Sequence, residues 1–168
     1  MWVKLSVAVT VIVIFVFTLV VVPHKVVAQT ISCSISPGTW AVGTITAGTP
    51  VSTFVSGTQG YFTLTNTGNV TEDFTIEGTD ATGSTVTWTL TKTPASANQY
   101  SLGFGQATGG SYETECANYT AFDTNGETLT TGLVADGTFL FDLELNTYDG
   151  TDVTQLMRAT VTITAVAS

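Results

Sequence analysis

Apolar and polar residues alternate with a period of two along most of the chain beyond residue 29, which is the pattern of half-buried β-strands. No stretch there keeps apolar residues at helical spacing for more than one turn. The clearest strand is predicted where Phe139, Phe141, Leu143 and Leu145 share one face. About nine short strands, separated by turns rich in Gly, Pro, Asn and Asp, predict an all-β fold, an Ig-like antiparallel β-sandwich.

Turn residues predict two local features near the start of this pattern. A short strand is predicted over residues 40–45, between a Pro-Gly turn and an Ala-Gly-Thr-Pro turn. A hairpin is predicted between residues 61–65 and 74–76, because the Asn-Thr-Gly-Asn sequence at 66–69 contains residues that tolerate a positive φ angle.

Residues 1–28 have the features of a secretory signal peptide. Lys4 provides positive charge, residues 5–22 form an apolar run, and Ala28 ends a tripeptide with small residues at the two positions that define a cleavage site. The alternative is an uncleaved transmembrane anchor, because the apolar run lies at the short end of what spans a bilayer. Cleavage would leave residues 29–168 as one secreted domain.

The charged residues are segregated along the chain. All 13 acidic residues follow residue 71 and two of the four basic residues precede residue 26, so residues 26–71 carry no charge. Without residues 1–28, two basic residues remain against 13 acidic ones, a net charge of −11 compared with −9 for the whole chain. A domain of this composition is not expected to bind nucleic acid or an anionic membrane surface through charge.

The composition also argues against catalysis. The only histidine, His24, lies in the predicted signal peptide, so a serine or cysteine nucleophile would have no imidazole base. No pair of carboxylates stands out as a general acid and its partner. We therefore expect no enzymatic activity, no catalytic residue, no metal site and no cofactor.

The cysteines and two asparagines are candidates for covalent modification. Cys33 and Cys116 are expected to form a disulfide in an oxidising exterior, either within one chain or between two chains. Asn69, in Asn-Val-Thr, and Asn118, in Asn-Tyr-Thr, are N-glycosylation sequons. They become glycosylated only in a host that carries the machinery.

Two segments carry a resemblance to known proteins. Residues 42–48 read Val-Gly-Thr-Ile-Thr-Ala-Gly, and residues 62–70 read Phe-Thr-Leu-Thr-Asn-Thr-Gly-Asn-Val. This pattern resembles secreted Ig-like β-sandwich surface modules with an NTGN turn, and it is similar to subunits of extracellular filaments of the TasA and camelysin type. The resemblance covers residues 43–76 and includes no catalytic motif. It implies an extracellular sandwich that assembles by lending a strand to its neighbour.

The candidate donor strand is residues 30–36, in which Ile31, Cys33 and Ile35 form the apolar face. Main-chain hydrogen bonds would give such a strand its affinity and alternate side chains its register. The lysines and prolines that usually protect sheet edges are scarce beyond residue 29. We therefore expect a glycosylated structural subunit of an extracellular pilus-like filament, bound to other copies of itself. The same segment could also be the first strand of a monomer.

A carbohydrate-binding or adhesive surface module is the alternative function. Aromatic rings can bind sugars without titratable chemistry, and the candidates are Trp40, Tyr61, Trp88, Tyr112, Tyr119 and Tyr148. Because Trp88 alternates with Val86 and Leu90, a place in the core is the simpler interpretation for it. Tyr112, Tyr119 and Tyr148, in loop-like sequence, are the better candidates.

A calcium site is a third possibility. Residues 123–127 and 149–152 place oxygen-bearing side chains around a glycine turn, as a hard cation prefers. Both segments are too short for an EF-hand loop, and ordinary acidic turns are the favoured interpretation.

Overall fold

The computed structural model describes residues 27–53, 60–107, 118–148 and 155–168, which form eleven β-strands and no helix. The prediction of an all-β fold is confirmed. The strands are β1 (Cys33–Ser36), β2 (Val51–Ser52), β3 (Phe62–Asn66), β4 (Glu72–Gly78), β5 (Ala81–Thr82), β6 (Thr87–Leu90), β7 (Gln99–Gln106), β8 (Thr120–Phe122), β9 (Glu127–Leu133), β10 (Thr138–Thr147) and β11 (Val161–Ala167).

The described strands form two sheets. The larger has eight strands, with the order β1-β3-β10-β7-β6-β5 and with β2 on β10 and β8 on β7. The smaller has the order β11-β4-β9. Pairing is antiparallel throughout except between β6 and β7, which run parallel with Leu90 opposite Tyr100. The expectation of a wholly antiparallel fold is wrong at this one pair.

Side chains from both sheets meet in one core, which follows from the period-two pattern. The larger sheet contributes Leu64, Tyr100 and Phe141, and the smaller contributes Phe74 and Ile76, all at most 1% exposed. The rings of the cross-strand neighbours Phe62 and Phe141 stack with centroids 5.4 Å apart. Burial of each large apolar side chain contributes roughly 1.5–3 kcal/mol, so this shared core holds the two sheets together.

The predicted hairpin between residues 61–65 and 74–76 is wrong. β3 pairs with β1 and β10 in the larger sheet, whereas β4 pairs with β9 and β11 in the smaller sheet. The chain therefore crosses from one sheet to the other at residues 66–72, which we call the NTGN corner. Alternation places one face of each strand in the core in either arrangement, so it does not show whether consecutive strands share a sheet.

The predicted strand over residues 40–45 is also wrong, because no strand forms between β1 and β2. Trp40 and Ile45 are partly buried against the core without pairing to a neighbouring strand. Gly43 has a φ angle of 79°, which is incompatible with extended backbone. The apolar residues here cover the core as a loop.

No helix in the described ranges is long and apolar enough to cross a membrane. Residues 1–26 of the predicted signal peptide lie outside those ranges.

Candidate functional site

The candidate donor strand forms β1 at one edge of the larger sheet. It pairs antiparallel with β3, placing Cys33 opposite Asn66 and Ile35 opposite Leu64. Cys33 and Ile35 are partly buried against the core, whereas Ile31 is 48% exposed. Two of the three predicted apolar positions therefore face inward, and the strand completes the sheet of its own chain.

Asn66 organises the NTGN corner. Its side chain is fully buried, and its Nδ2 donates to the carbonyl oxygens of Val70 and Leu133, each at 2.8 Å. Its Oδ1 accepts a hydrogen bond from the Gly68 nitrogen at 2.8 Å. One amide thus closes the corner on itself and ties it to the end of β9, so the two sheets are joined at this point.

The corner binds the segment that precedes β1 through main-chain groups. The nitrogens of Thr67 and Gly68 donate to the Ser32 carbonyl at 2.8 and 3.0 Å, and the Asn69 nitrogen donates to the Thr30 carbonyl at 3.1 Å. The Asn69 side chain accepts from the Thr30 nitrogen and donates to the Ala28 carbonyl, both at 2.8 Å. The Ser32 and Thr67 hydroxyls also share a hydrogen bond at 2.8 Å. Apart from this contact, the corner holds residues 28–32 through their main-chain atoms.

A buried carboxylate completes this contact. Glu72 is fully buried at the start of β4, and its Oε1 accepts a hydrogen bond from the Ser32 nitrogen at 3.0 Å. Its Oε2 has no hydrogen-bond partner among the described residues. Burying a carboxylate with few hydrogen-bond partners costs free energy. The hydrogen bond from the Ser32 nitrogen therefore stabilises the fold more than a hydrogen bond to an exposed carboxylate would.

Gly68 lets the segment approach this closely. A Cβ at Gly68 would lie 2.2 Å from Glu72 Oε1 and 2.4 Å from the Thr30 carbonyl oxygen. No side chain fits there without moving the carboxylate or the bound segment.

The thiol of Cys33 lies in the same environment. Burial raises its pKa, and the nearby Glu72 carboxylate raises it further by disfavouring the thiolate. Because the thiolate is the reactive form, Cys33 is a poor nucleophile in this position. Cys33 has no disulfide partner among the described residues, and Cys116 lies outside them, so their disulfide stays a prediction.

The two sequons differ in their surroundings. Both Asn69 and Asn118 are exposed, and Asn118 lies just before β8. The Asn69 amide is engaged on both its oxygen and its nitrogen by residues 28–30. A glycan would substitute one of the two hydrogens on the Asn69 nitrogen, the atom that donates to the Ala28 carbonyl. Glycosylation of either asparagine stays a prediction.

The aromatic candidates divide into buried and accessible groups. Trp88 is 7% exposed in the core, as its alternation predicts, and Tyr119 is partly buried. Trp40 and Tyr61 line one shallow cleft of about 120 Å³, together with Pro37, Thr39, Thr53, Gly60 and Phe62. Tyr148 is 37% exposed, and Tyr112 lies outside the described residues.

The first acidic turn uses its carboxylates internally. Asp123 Oδ1 accepts from the Asn125 nitrogen at 2.8 Å, and Glu127 forms an ion pair with Lys92, whose pKa this contact raises. The described residues contain no cluster of three metal-ligating side chains. Residues 149–152, the second candidate, lie outside the described ranges.

The corner residues Asn66, Gly68 and Glu72 were not predicted as functional positions. One signal that could have indicated Glu72 is its place as the first charged residue after the uncharged run of residues 26–71. Comparison with protein-family models, curated proteins and solved structures finds no match to this chain.

Proposed function

We propose that this chain is a secreted Ig-like β-sandwich and the structural subunit of an extracellular filament, in which residues 28–36 of one copy occupy the edge of β3 and the NTGN corner of the next. The observation that carries the proposal is how this segment is held. Apart from one contact between the Ser32 and Thr67 hydroxyls, its hydrogen bonds to Thr67, Gly68 and Asn69 are made by main-chain atoms of the segment. The same segment from a second copy would make identical contacts.

The position of the segment also supports exchange. β1 lies at a sheet edge among the described strands, so its departure breaks main-chain hydrogen bonds to one neighbouring strand only, β3. The chain leaves β1 through Pro37 and Gly38, which are both exposed, and a Cβ at Gly38 would meet no atom within 4 Å. A change of direction at this point would carry β1 to a neighbour, which is the usual geometry of a swapped element.

The charge distribution favours contact between copies at this surface. The donor segment and the corner up to residue 71 carry no charge, although the chain has 13 acidic residues. Two copies can therefore join here without opposing carboxylates, while the acidic residues elsewhere limit nonspecific association.

Paired cysteines distinguish exchange from a closed monomer. Ser34 lies opposite Thr65 across β1 and β3, so Ser34→Cys with Thr65→Cys places two thiols in register. Strand exchange predicts a ladder of covalent multimers after oxidation on a non-reducing denaturing gel, and filaments in negative-stain electron microscopy. The control is Thr63→Cys with Leu140→Cys, which pairs β3 with β10 inside one subunit and should add no ladder above wild type.

A different result of this experiment would contradict strand exchange. A disulfide between positions 34 and 65 found only within single chains, together with an absence of filaments, would show that β1 is simply the first strand of a monomer.

The second candidate function is carbohydrate binding at the cleft that Trp40 and Tyr61 share. Its support is that two aromatic side chains line one cleft of about 120 Å³ at the surface. Glycan-array binding that is lost on Tyr61→Ala but retained on Tyr148→Ala would support this cleft. The absence of binding to any glycan would remove the candidate.

A further inference from the structure

Among the described strands, β11 lies at an edge of the smaller sheet, and its backbone is regular along its whole length. Its register with β4 runs without interruption from Val161 opposite Gly78 to Ala167 opposite Glu72. The backbone beyond each end is fixed as well: the Thr79 nitrogen donates to the Thr160 carbonyl, and the Ser168 nitrogen donates to the Thr71 carbonyl, both at 3.0 Å. No other described strand pairs with the outer side of β11.

The positions of those end contacts determine which groups point outward. In an antiparallel pair, hydrogen-bonded residues alternate with residues whose N–H and C=O groups face away from the partner. Since residues 160 and 168 bond to β4, the even-numbered residues of β11 do so too. The outward groups belong to Val161, Ile163, Ala165 and Ala167.

Three other edges among the described strands, those of β9, β5 and β1, are less suited to pairing. β9 carries Glu127, has register irregularities against β4, and contains Gly132 at a φ angle of 68°. β5 has two residues and is bridged by Arg158. β1 has four residues and ends just before Pro37. Bulges, charges and short length are the usual protections of a sheet edge, and β11 has none of them.

We propose that the outer edge of β11 binds β11 of a second copy of this chain, antiparallel and around a two-fold axis at Thr164. This register places Ile163 opposite Ala165 of the second copy and Val161 opposite its Ala167. The outward N–H and C=O groups of these residues then hydrogen-bond to each other between the two copies. The match extends over all seven residues of the strand. Pairing with β1 would engage only the four residues of that strand.

The charge distribution favours a second copy as the occupant. Residues 159–168 contain no charged residue, and the exposed side chains of β11 include Thr162, Thr164 and Val166. On the neighbouring strand β4, the carboxylates outside the core belong to Asp73, opposite Val166, and Glu77, opposite Thr162. In the pair, β4 and its copy would be three strand spacings apart, about 14 Å, which exceeds the screening length of about 8 Å at physiological salt.

This contact is separate from the strand exchange of the proposed function, because β1 and β11 belong to different sheets. With exchange, it would link two filaments side by side. Without exchange, it would give a simple dimer.

A single cysteine tests the register. The two-fold axis makes Thr164 its own partner in a non-hydrogen-bonded pair, with Cα atoms about 4.5 Å apart, a separation that a disulfide spans. The full chain carrying Thr164→Cys should form a 164–164 disulfide between copies, identified by peptide mass spectrometry. Thr162→Cys is the matched control, because residue 162 lies opposite residue 166 of the second copy and should not bond to itself.

Association is measured with a charge substitution on the full chain. Thr164→Asp places like charges directly opposite each other and should raise the dimer dissociation constant at least about fivefold in analytical ultracentrifugation. Thr75→Asp, its neighbour across the pair on β4, has an exposed side chain and should leave the constant near that of wild type. Equal effects of the two substitutions, a monomeric wild type, or a disulfide from residue 164 to Cys33 would overturn the proposal.

Discussion

The Ser32 nitrogen donates to Oε1 of the fully buried Glu72 at 3.0 Å, which links the uncharged part of the chain to its first acidic residue. The same carboxylate contributes to the raised pKa of the Cys33 thiol. The corner therefore holds residues 28–32 and is also the source of an electrostatic effect that can be measured on the nearby Cys33.

Glu72→Gln should make Cys33 more reactive. The substitution removes the negative charge that disfavours the thiolate, so the thiol pKa should fall, although burial still keeps it raised. Alkylation of Cys33 at a fixed pH below its pKa should be faster than in wild type, as followed by peptide mass spectrometry. Glu77→Gln, an equal change of charge at an exposed position of β4, is the control. Equal alkylation rates in all three proteins would contradict the electrostatic role of Glu72.

Gly68→Ala should loosen the segment before β1. The added Cβ would meet Glu72 Oε1 and the Thr30 carbonyl at well under contact distance, and such overpacking costs about 1–3 kcal/mol. Denaturant unfolding should show this loss, and hydrogen exchange should place it at residues 28–32. Gly38→Ala, where a Cβ meets no atom within 4 Å, should change the free energy of unfolding by at most about 0.5 kcal/mol. An equally small change in the free energy of unfolding for Gly68→Ala would contradict this prediction, because it would mean that Glu72 and residues 28–32 shift at little cost to accept the Cβ.

Asn66→Asp should be among the more damaging small substitutions. The shape is kept, but the donor that serves the Val70 and Leu133 carbonyls is lost and a carboxylate takes a fully buried position. Leaving a buried hydrogen-bond partner unsatisfied lowers the free energy of unfolding by about 1–3 kcal/mol, and burial of a charged group lowers it further. The control is Asn125→Asp, in an exposed turn. Equal stability of the two variants in denaturant unfolding would mean that the corner does not depend on the Asn66 amide.

Asp73 should make stability depend on pH in the acid range. Hydrogen bonds from the Ser168 hydroxyl and the Gly132 nitrogen lower its pKa. A carboxylate with a lowered folded-state pKa stabilises the fold above its unfolded value, near pH 4, and this contribution disappears as the pH falls through the folded value. In denaturant unfolding, the stability difference between wild type and Asp73→Asn should therefore shrink as the pH falls from neutral into the acid range below the ordinary Asp pKa. A stability difference between wild type and Asp73→Asn that stays constant with pH would contradict the role given to Asp73.

The sequence pattern predicted strands better than it predicted how they pair. At β7 and β10 the alternation of Tyr100, Leu102 and Phe104 with small or polar residues, and of Phe141 and Leu143 with acids, matched the strands that form. The same alternation at β3 and β4 was misinterpreted as a hairpin. Period two records only which face is buried, and that face is the same whether the next strand lies beside β3 or across the core.

The corner itself could not be derived from residue types alone. Asn and Gly indicate a turn because both tolerate unusual backbone angles. The role of Asn66, however, depends on the carbonyl of Leu133, which is 67 residues away in sequence. Likewise, the residues around Glu72 do not indicate its partner, because only the fold places the Ser32 nitrogen next to the Glu72 carboxylate. Such long-range partners are set by topology, which the local pattern does not contain.

The antiparallel pairing of β1 with β3 has a mechanical consequence. The hydrogen bonds between these strands run across the strand direction. Tension applied along β1 would therefore load the whole row in shear, so that several bonds must fail together rather than one after another. A joint made through β1 would resist pulling along the strand far better than peeling from its end, which is the property that a load-bearing fibre requires.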